Sequence, residues 1–227
     1  MSSITPSLGS LTRYLAVEAR QVIAIELDAD LIPPLRAVTQ PYGNVHIVHG
    51  DILKISPKEL IQDSNYLVVA NIPYYITSAI IRHLLENEPK SRRIVLTIQK
   101  EVADRICAEP GDMSLLSLSV QVYGKPRIAA HIPASAFFPT PQVDSAVLYV
   151  DTYPLPQIPP ELLSTFFKMI KAGFSQKRKT LRNSLSSGLH IAPAEAENLL
   201  ARADIDPKRR AETLNLEEWH SLCRLYK

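Results

Sequence analysis

Tyr66-Leu67-Val68-Val69-Ala70-Asn71-Ile72-Pro73-Tyr74 is an apolar, uncharged run that stops abruptly at an amide, a proline and an aromatic ring. Its first five residues have the length and character of a buried strand, and Asn and Pro beyond them are turn formers. In open α/β sheets, ligands bind at the carboxyl ends of the strands. At such a place Asn71 Oδ1 and the Ile72 carbonyl can accept the two hydrogens of an exocyclic amine, while Tyr74 can stack on the plane of a base. Two readings of the turn stand side by side. Either it is an amine site, or Asn71 caps the entry to the next helix and Tyr74 packs in the core.

Outward from this run, short apolar segments alternate with longer helical patterns. Strands are expected at residues 21–26, 45–49, 66–70, 94–99, 127–132 and 143–152, and helices near 9–17, 29–38, 78–86, 101–107 and 114–123. That alternation predicts a largely parallel sheet with helices on both faces. Pro33 and Pro34 restrict the second helix to a form in which they occupy its first turn. The last two strands, joined by the proline-rich residues 133–141, are candidates for an antiparallel edge. Tyr153-Pro154-Leu155-Pro156-Gln157-Ile158-Pro159-Pro160 carries four prolines in eight residues, which marks a stiff linker. Beyond it the pattern is helical, at 161–172, 176–187, 193–203 and 216–226. Two domains are therefore expected, residues 1–154 and 155–227.

With 227 residues, 46% hydrophobic and 21% charged, the composition is that of an ordinary soluble globular protein. Its two cysteines, Cys107 and Cys223, fit neither a metal spacing nor a disulfide framework, so no metal and a reducing, cytoplasmic setting are expected. No secretion signal or membrane anchor is expected either. Net charge is only +2, yet residues 162–194 hold no Asp or Glu while Lys168, Lys171, Lys177, Arg178, Lys179 and Arg182 all lie there. A one-sign block of that size favours a polyanion such as nucleic acid over a plain solvated face.

Val22-Ile23-Ala24-Ile25-Glu26 ends in a carboxylate, which in dinucleotide folds accepts ribose hydroxyls. Val45–His49 leads into Gly50-Asp51, where a carboxylate can accept an adenine amine and Ile52 offers an apolar wall; a turn or helix cap is the competing role for Asp51, and Asp28 or Asp30 can start the helix after Glu26. Glu26, Asp51 and Asn71 stand at the ends of successive strands, so one crevice can collect all three. The glycine-rich turn that opens such folds is reduced here to Gly9 within Ser3-Ile4-Thr5-Pro6-Ser7-Leu8-Gly9-Ser10, and the strand before it is nearly absent.

Asn71–Tyr74 resembles the Asn-Pro-Pro-Tyr-type signature of S-adenosylmethionine-dependent adenine amino-methyltransferases, and the chain as a whole resembles the ribosomal RNA adenine dimethyltransferases that modify small-subunit rRNA. Leu8–Thr12 looks like the end of their first motif, Val22–Asp28 like the acidic second, Gly50–Ile52 like the third and Asn71–Tyr75 like the catalytic turn. Gln99–Arg105, Phe137–Ser145 and Ala172–Asn183 match later segments in family order. The resemblance implies an α/β, Rossmann-like methyltransferase sheet with a small all-helical C-terminal domain. It implies S-adenosylmethionine as cofactor, bound by Thr5, Gly9, Glu26, Leu27, Asp51, Ile52 and Asn71. Asn71, Ile72, Pro73, Tyr74 and Phe137 would serve the target adenine, with Phe138 turned into the core. Lys171, Lys177, Arg178, Lys179 and Arg182 would hold RNA. A monomer acting on small-subunit rRNA in a pre-30S particle is the implied setting.

Three departures accompany the matches. The family's acid and first two glycines fall on Ser3, Thr5 and Ser7, Leu115-Leu116 replaces a common Tyr-Gly, and the resemblance begins inside the first motif. A non-catalytic RNA-binding assembly factor that has lost cofactor binding is the alternative those departures suggest. The related large-subunit methyltransferases that confer antibiotic resistance are another, which Ala172–Asn183 fits less well.

Overall fold

The computed structural model describes residues 2–4, 9–61, 65–138 and 140–226; the cofactor contact expected at Thr5 lies outside them. Among the described residues, seven strands form one sheet: β1 (Ser2–Ile4), β2 (Val22–Glu26), β3 (Val45–His49), β4 (Leu67–Asn71), β5 (Arg93–Gln99), β6 (Gly124–Ile132) and β7 (Ser145–Thr152). Their order is β3-β2-β1-β4-β5-β7-β6. The strand expected to be nearly absent is thus present as a three-residue β1, parallel to both β2 and β4. From β1 the chain winds first to β2 and β3 and then across to β4 and β5, so the order reverses between β1 and β4, the position at which α/β sheets bind ligands. β7 runs antiparallel to β5, from Gln99 opposite Ser145 to Arg93 opposite Asp151.

Alternation along β4 and β5 buries Val68, Ala70, Ile94, Leu96 and Ile98. The helices of this part are α1 (Ser10–Glu18), α2 (Ile32–Thr39), α3 (Pro57–Leu60), α4 (Thr77–Glu86) and α5 (Lys100–Ile106). α4 buries Ile80, Ile81, Leu84 and Leu85 at helical spacing. A 3-10 turn at Ala29–Leu31 leads into α2, whose first turn takes Pro33 and Pro34 where no intrahelical N–H is required. Gly9 enters α1 with φ 77°, and a Cβ there would lie 2.4 Å from Val38 Cγ2. Both its backbone and its lack of a side chain are required.

By packing, the chain divides into Met1–Ala103 with Lys125–Pro154, and Asp104–Gly124 with Leu155–Lys227. A boundary falls between Pro154 and Leu155, and residues 104–124 group with the helical unit rather than with the sheet. That unit comprises α6 (Leu115–Gln121), α7 (Pro160–Phe174), α8 (Leu181–Leu189), α9 (Pro193–Arg202) and α10 (Leu216–Leu225). Tyr123 stacks on Phe167 with centroids 6.3 Å apart. The Gln157 N–H donates to Val122 O at 2.8 Å, and the Gly111 and Met113 N–H groups donate to Glu212 O. These long-range contacts carry no local signature, which is why the segment reads in sequence as part of the sheet domain.

The helix expected from residue 176 starts only at Leu181. The first N–H groups of α8 donate to Arg209 O and Pro207 O instead of extending the helix backwards, and residues 176–179 form a turn closed by Lys179 N–H to Gln176 O at 2.9 Å. α7 and α8 pack closely, since a Cβ on Gly188 would lie 2.5 Å from Ala172 Cα. Nearby, Arg209 clamps Glu218 through both guanidinium ends and also donates to Thr213 O at 2.7 Å. Burial pushes the Glu218 carboxyl up, but the Arg209 hydrogen bond, the Asn215 N–H and the Arg209 charge together outweigh it and hold the group below its ordinary value.

Two outcomes are expected. Gly188→Ala forces backbone apart and should lower unfolding free energy by about 1–3 kcal/mol in urea titrations. Because the folded pKa of Glu218 is depressed, its ionised form contributes stability above the unfolded value of about 4.3, and that contribution is lost as pH falls through the folded pKa. Wild type should therefore exceed Glu218→Gln in stability at neutral pH, with the gap closing in acid below about pH 4; a gap of constant size would refute the linkage.

Candidate active site

Asn71 is the last residue of β4, and the N-cap of α4 is Ile76. The capping role for Asn71 is thereby excluded. Among the described residues its side-chain amide makes no hydrogen bond, and the Ile72 carbonyl accepts none. Two acceptors thus stand unused at a strand's carboxyl end. Pro73 turns the chain with φ −59° and ψ 133°, its carbonyl accepts the Ile76 N–H at 3.2 Å, and Thr77 Oγ1 donates to Tyr74 O at 3.1 Å. The Ile72 side chain is buried, 2% exposed, and anchors the turn from below.

Tyr74 is half-buried and shares a 2.7 Å hydrogen bond with the hydroxyl of Ser145, the fully buried first residue of β7. Its ring is therefore fixed by its tip as well as by its backbone. An open cavity of about 300 Å³ lies beside it, lined by Asn71, Ile72, Pro73, Tyr74, Phe137, Phe138 and Pro141. That volume is at the small end of ligand pockets and suits one flat aromatic group.

Phe137, Phe138 and Pro141 supply the rest of the lining. Asp144 organises them: its Oδ1 accepts the Ala134 N–H at 2.9 Å, and its carbonyl accepts the Lys100 N–H at 2.9 Å. Phe137 N–H donates to Ala134 O, and Thr140 Oγ1 to Phe137 O. Phe137 is half-buried at the cavity. Phe138, expected in the core, is instead fully exposed and also lines the cavity. Asp144 and Ser145 are the functional positions that residue-by-residue reading missed; their signal was the fixed Val-Asp-Ser spacing after Phe137.

Across the sheet, Ile4 pairs with both Ile25 and Ala70, so Glu26 and Asn71 each lie one residue beyond that row. Two strand spacings put their backbones about 10 Å apart. Glu26 is only 6% exposed; Oε1 accepts the Asp28 N–H at 2.7 Å, while Oε2 is buried with no partner among the described residues. A buried carboxylate oxygen without a donor is costly and calls for one, and a ribose hydroxyl has the chemistry to supply it. The residues present thus fit an adenosyl cofactor. Asp28, by contrast, caps the 3-10 turn through the Asp30 N–H.

Leu27 is 64% exposed, and its backbone is held by His49 Nε2 donating to its carbonyl at 3.1 Å. The Gly50 N–H donates to Glu26 O at 2.8 Å, tying the ends of β2 and β3 together. Asp51 caps its own turn, Oδ1 accepting the Leu53 N–H at 3.0 Å, with Lys54 Nζ 3.8 Å from Oδ2. Ile52 lines a small apolar cavity with Ile25, Ile55 and Leu60, so its packing is accounted for within the sheet's cover.

In the helical unit, Lys171 is exposed on the last turn of α7, and Lys177, Arg178 and Lys179 are exposed in the turn before α8. None of the four is ion-paired with a described residue. Arg182 differs, since it pairs with Glu197 at 3.1 Å.

A family model described as ribosomal RNA adenine dimethylase matches residues 1–227. A protein from Dehalococcoides mccartyi (strain CBDB1) named ribosomal RNA small subunit methyltransferase A is 48% identical over 225 residues, which cover 98% of this chain and 77% of that protein. A namesake from Geobacillus sp. (strain WCH70) is 40% identical over 229 residues, covering 96% and 79%. Among solved structures, the 23S rRNA methyltransferase ErmE superposes with TM-score 0.76 at 27% identity, covering 99% of this chain and 89% of that one. A dimethyladenosine transferase from Plasmodium falciparum gives TM-score 0.80 at 24% identity over 97% and 87%, a likeness of fold. The α/β sheet is accordingly of Rossmann-like type.

If the hydroxyl pair fixes the turn, Tyr74→Phe and Ser145→Ala should each cost about 1 kcal/mol of stability. Their double variant should cost less than the sum, because both remove one bond. Additive costs in a denaturation cycle would show that the bond contributes nothing.

Proposed function

We infer function from the family to which the chain belongs, the ribosomal RNA adenine dimethylases, together with the unused acceptors at Asn71 and Ile72. The protein is an S-adenosylmethionine-dependent enzyme that methylates N6 of adenines in small-subunit (16S) ribosomal RNA. When bound, S-adenosylmethionine supplies a methyl group activated on a sulfonium centre. Glu26 would hold its ribose hydroxyls, and Asp51, Leu27 and Ile52 its adenine, with Thr5, Gly9 and Asn71 as further contacts.

The rest of the chemistry falls to residues around the cavity. An adenine amine is a poor nucleophile because its lone pair is delocalised into the ring. Asn71 Oδ1 and the Ile72 carbonyl each accept one N6 hydrogen, which favours a more tetrahedral nitrogen and aims its lone pair. This is orientation with electrostatic support, and it needs no dedicated base. Pro73 keeps the two acceptors in fixed relation. Tyr74 stacks on one face of the base and Phe137 bounds the other. After one transfer N6 keeps a single hydrogen, so one acceptor still holds it for the second.

Entry to such a site requires the adenine to leave its stack, so an unpaired or loop nucleotide is the substrate. Lys171, Lys177, Arg178 and Lys179, with Arg182, bind phosphates and position the RNA without reading its sequence. The expected setting is a cytoplasmic monomer acting on a pre-30S particle; no helix among the described residues is long and apolar enough to cross a membrane.

The expected outcome for Asn71→Ala is a loss of about 10²-fold in kcat with rRNA and S-adenosylmethionine; transfer at the parent rate would refute the role. In calorimetric titrations, Glu26→Ala should weaken S-adenosylmethionine binding by about tenfold or more. A wild-type chain that binds RNA but no cofactor at about millimolar concentration would instead support a non-catalytic assembly factor.

A further inference from the structure

We propose that Phe138 and Tyr75 form a stacking platform for the nucleotides on either side of the target adenine, an inference that rests on the RNA-methylating role above. Phe138 and Tyr75 each follow, by one position, a ring that bounds the cavity: Phe137 and Tyr74. The inner pair is half-buried, whereas the outer pair is exposed, Tyr75 by 87% and Phe138 by 102%. Phe138 lines the cavity itself, and Tyr75 sits in the 3-10 turn Tyr74–Ile76, directly after the lining residue Tyr74. Among the described residues neither outer ring has an aromatic, cation–π or hydrogen-bonding partner.

Neither ring is buried in the fold, and exposed aromatic surface next to a cavity marks contact with a ligand. The occupant follows from strand continuity. An adenine drawn into the cavity stays covalently bound to a nucleotide on each side, and those two nucleotides must lie at its rim. Every base has a π-face, so rings at that rim grip flanking nucleotides whatever their sequence. Phosphate contacts by the basic residues supply general RNA affinity, while the platform supplies register, placing the adenine between two held neighbours.

The test uses the full chain and an RNA hairpin whose loop holds one adenine between two 2-aminopurines. Wild type should quench or shift the fluorescence of the flanking 2-aminopurines on binding. Phe138→Ala and Tyr75→Ala should abolish most of that change and raise the RNA Kd by about tenfold. On rRNA the same variants should raise KM severalfold, whereas Phe138→Trp and Tyr75→Phe should retain wild-type values. Equal S-adenosylmethionine affinity across the set confirms that the variants are folded. Unchanged RNA Kd and unchanged fluorescence in both alanine variants would overturn the platform. Binding and fluorescence need no methyl transfer, so a wild type that shows both yet transfers nothing would refute the enzymatic reading and leave the platform standing.

Discussion

A hydrogen bond of 2.7 Å between the hydroxyls of Tyr74 and Ser145 joins two stretches of chain 71 residues apart. One stretch leaves the carboxyl end of β4 and carries the acceptors Asn71 and Ile72. The other arrives at the start of β7 after carrying Phe137 around the loop. The antiparallel register of β5 and β7, with Gln99 opposite Ser145, delivers Ser145 to the sheet edge where β4 ends. Asp144 then holds the loop through the Ala134 N–H, and with it the second wall. The proposed base site needs two walls in fixed relation, and it would obtain them from the ends of β4 and β7, which flank β5, rather than from long side chains.

The cofactor edge shows a different economy. Glu26 and Asp51 are both carboxylates at strand ends, yet their oxygens are not equally committed. Asp51 closes its own turn and faces Lys54, so local structure accounts for much of it. Glu26 spends Oε1 on the Asp28 N–H and leaves Oε2 buried and unpartnered among the described residues. A desolvated acceptor is a poor contributor to folding and a good one to ligand binding, since the donor it lacks is supplied only by the ligand. In the helical unit, tight α7–α8 packing at Gly188 and Ala172 leaves the six residues between those helices to form a turn that displays basic side chains to solvent.

Sequence alone showed most of the strands and helices and the residue types that stand at their ends. Apolar runs ending in Glu26, Asp51 and Asn71 are visible as strands with polar ends, because a buried strand tolerates such groups only where it leaves the sheet. The proline-rich stretch around Pro154–Pro160 announced a division, and the acid-free block announced a polyanion. The pairing of Asn71-x-Pro-Tyr with Phe137 and Val-Asp-Ser was legible as a family likeness before any reason for it was known.

Only the tertiary structure decided what each group is free to do. Asn71 is not a cap, because α4 begins six residues later, at Thr77, with Ile76 as its N-cap. Phe138 faces solvent although its composition suggests core, Arg182 is engaged by Glu197 while its basic neighbours are not, and Asp104–Gly124 belongs with helices far along the chain. The physical reason is common to all four. Periodicity and residue type report whether a side chain prefers water or burial and what it can donate or accept, but whether that capacity is already used depends on neighbours distant in sequence. An unused acceptor and an exposed ring acquire meaning only when the folded chain has assigned every other partner.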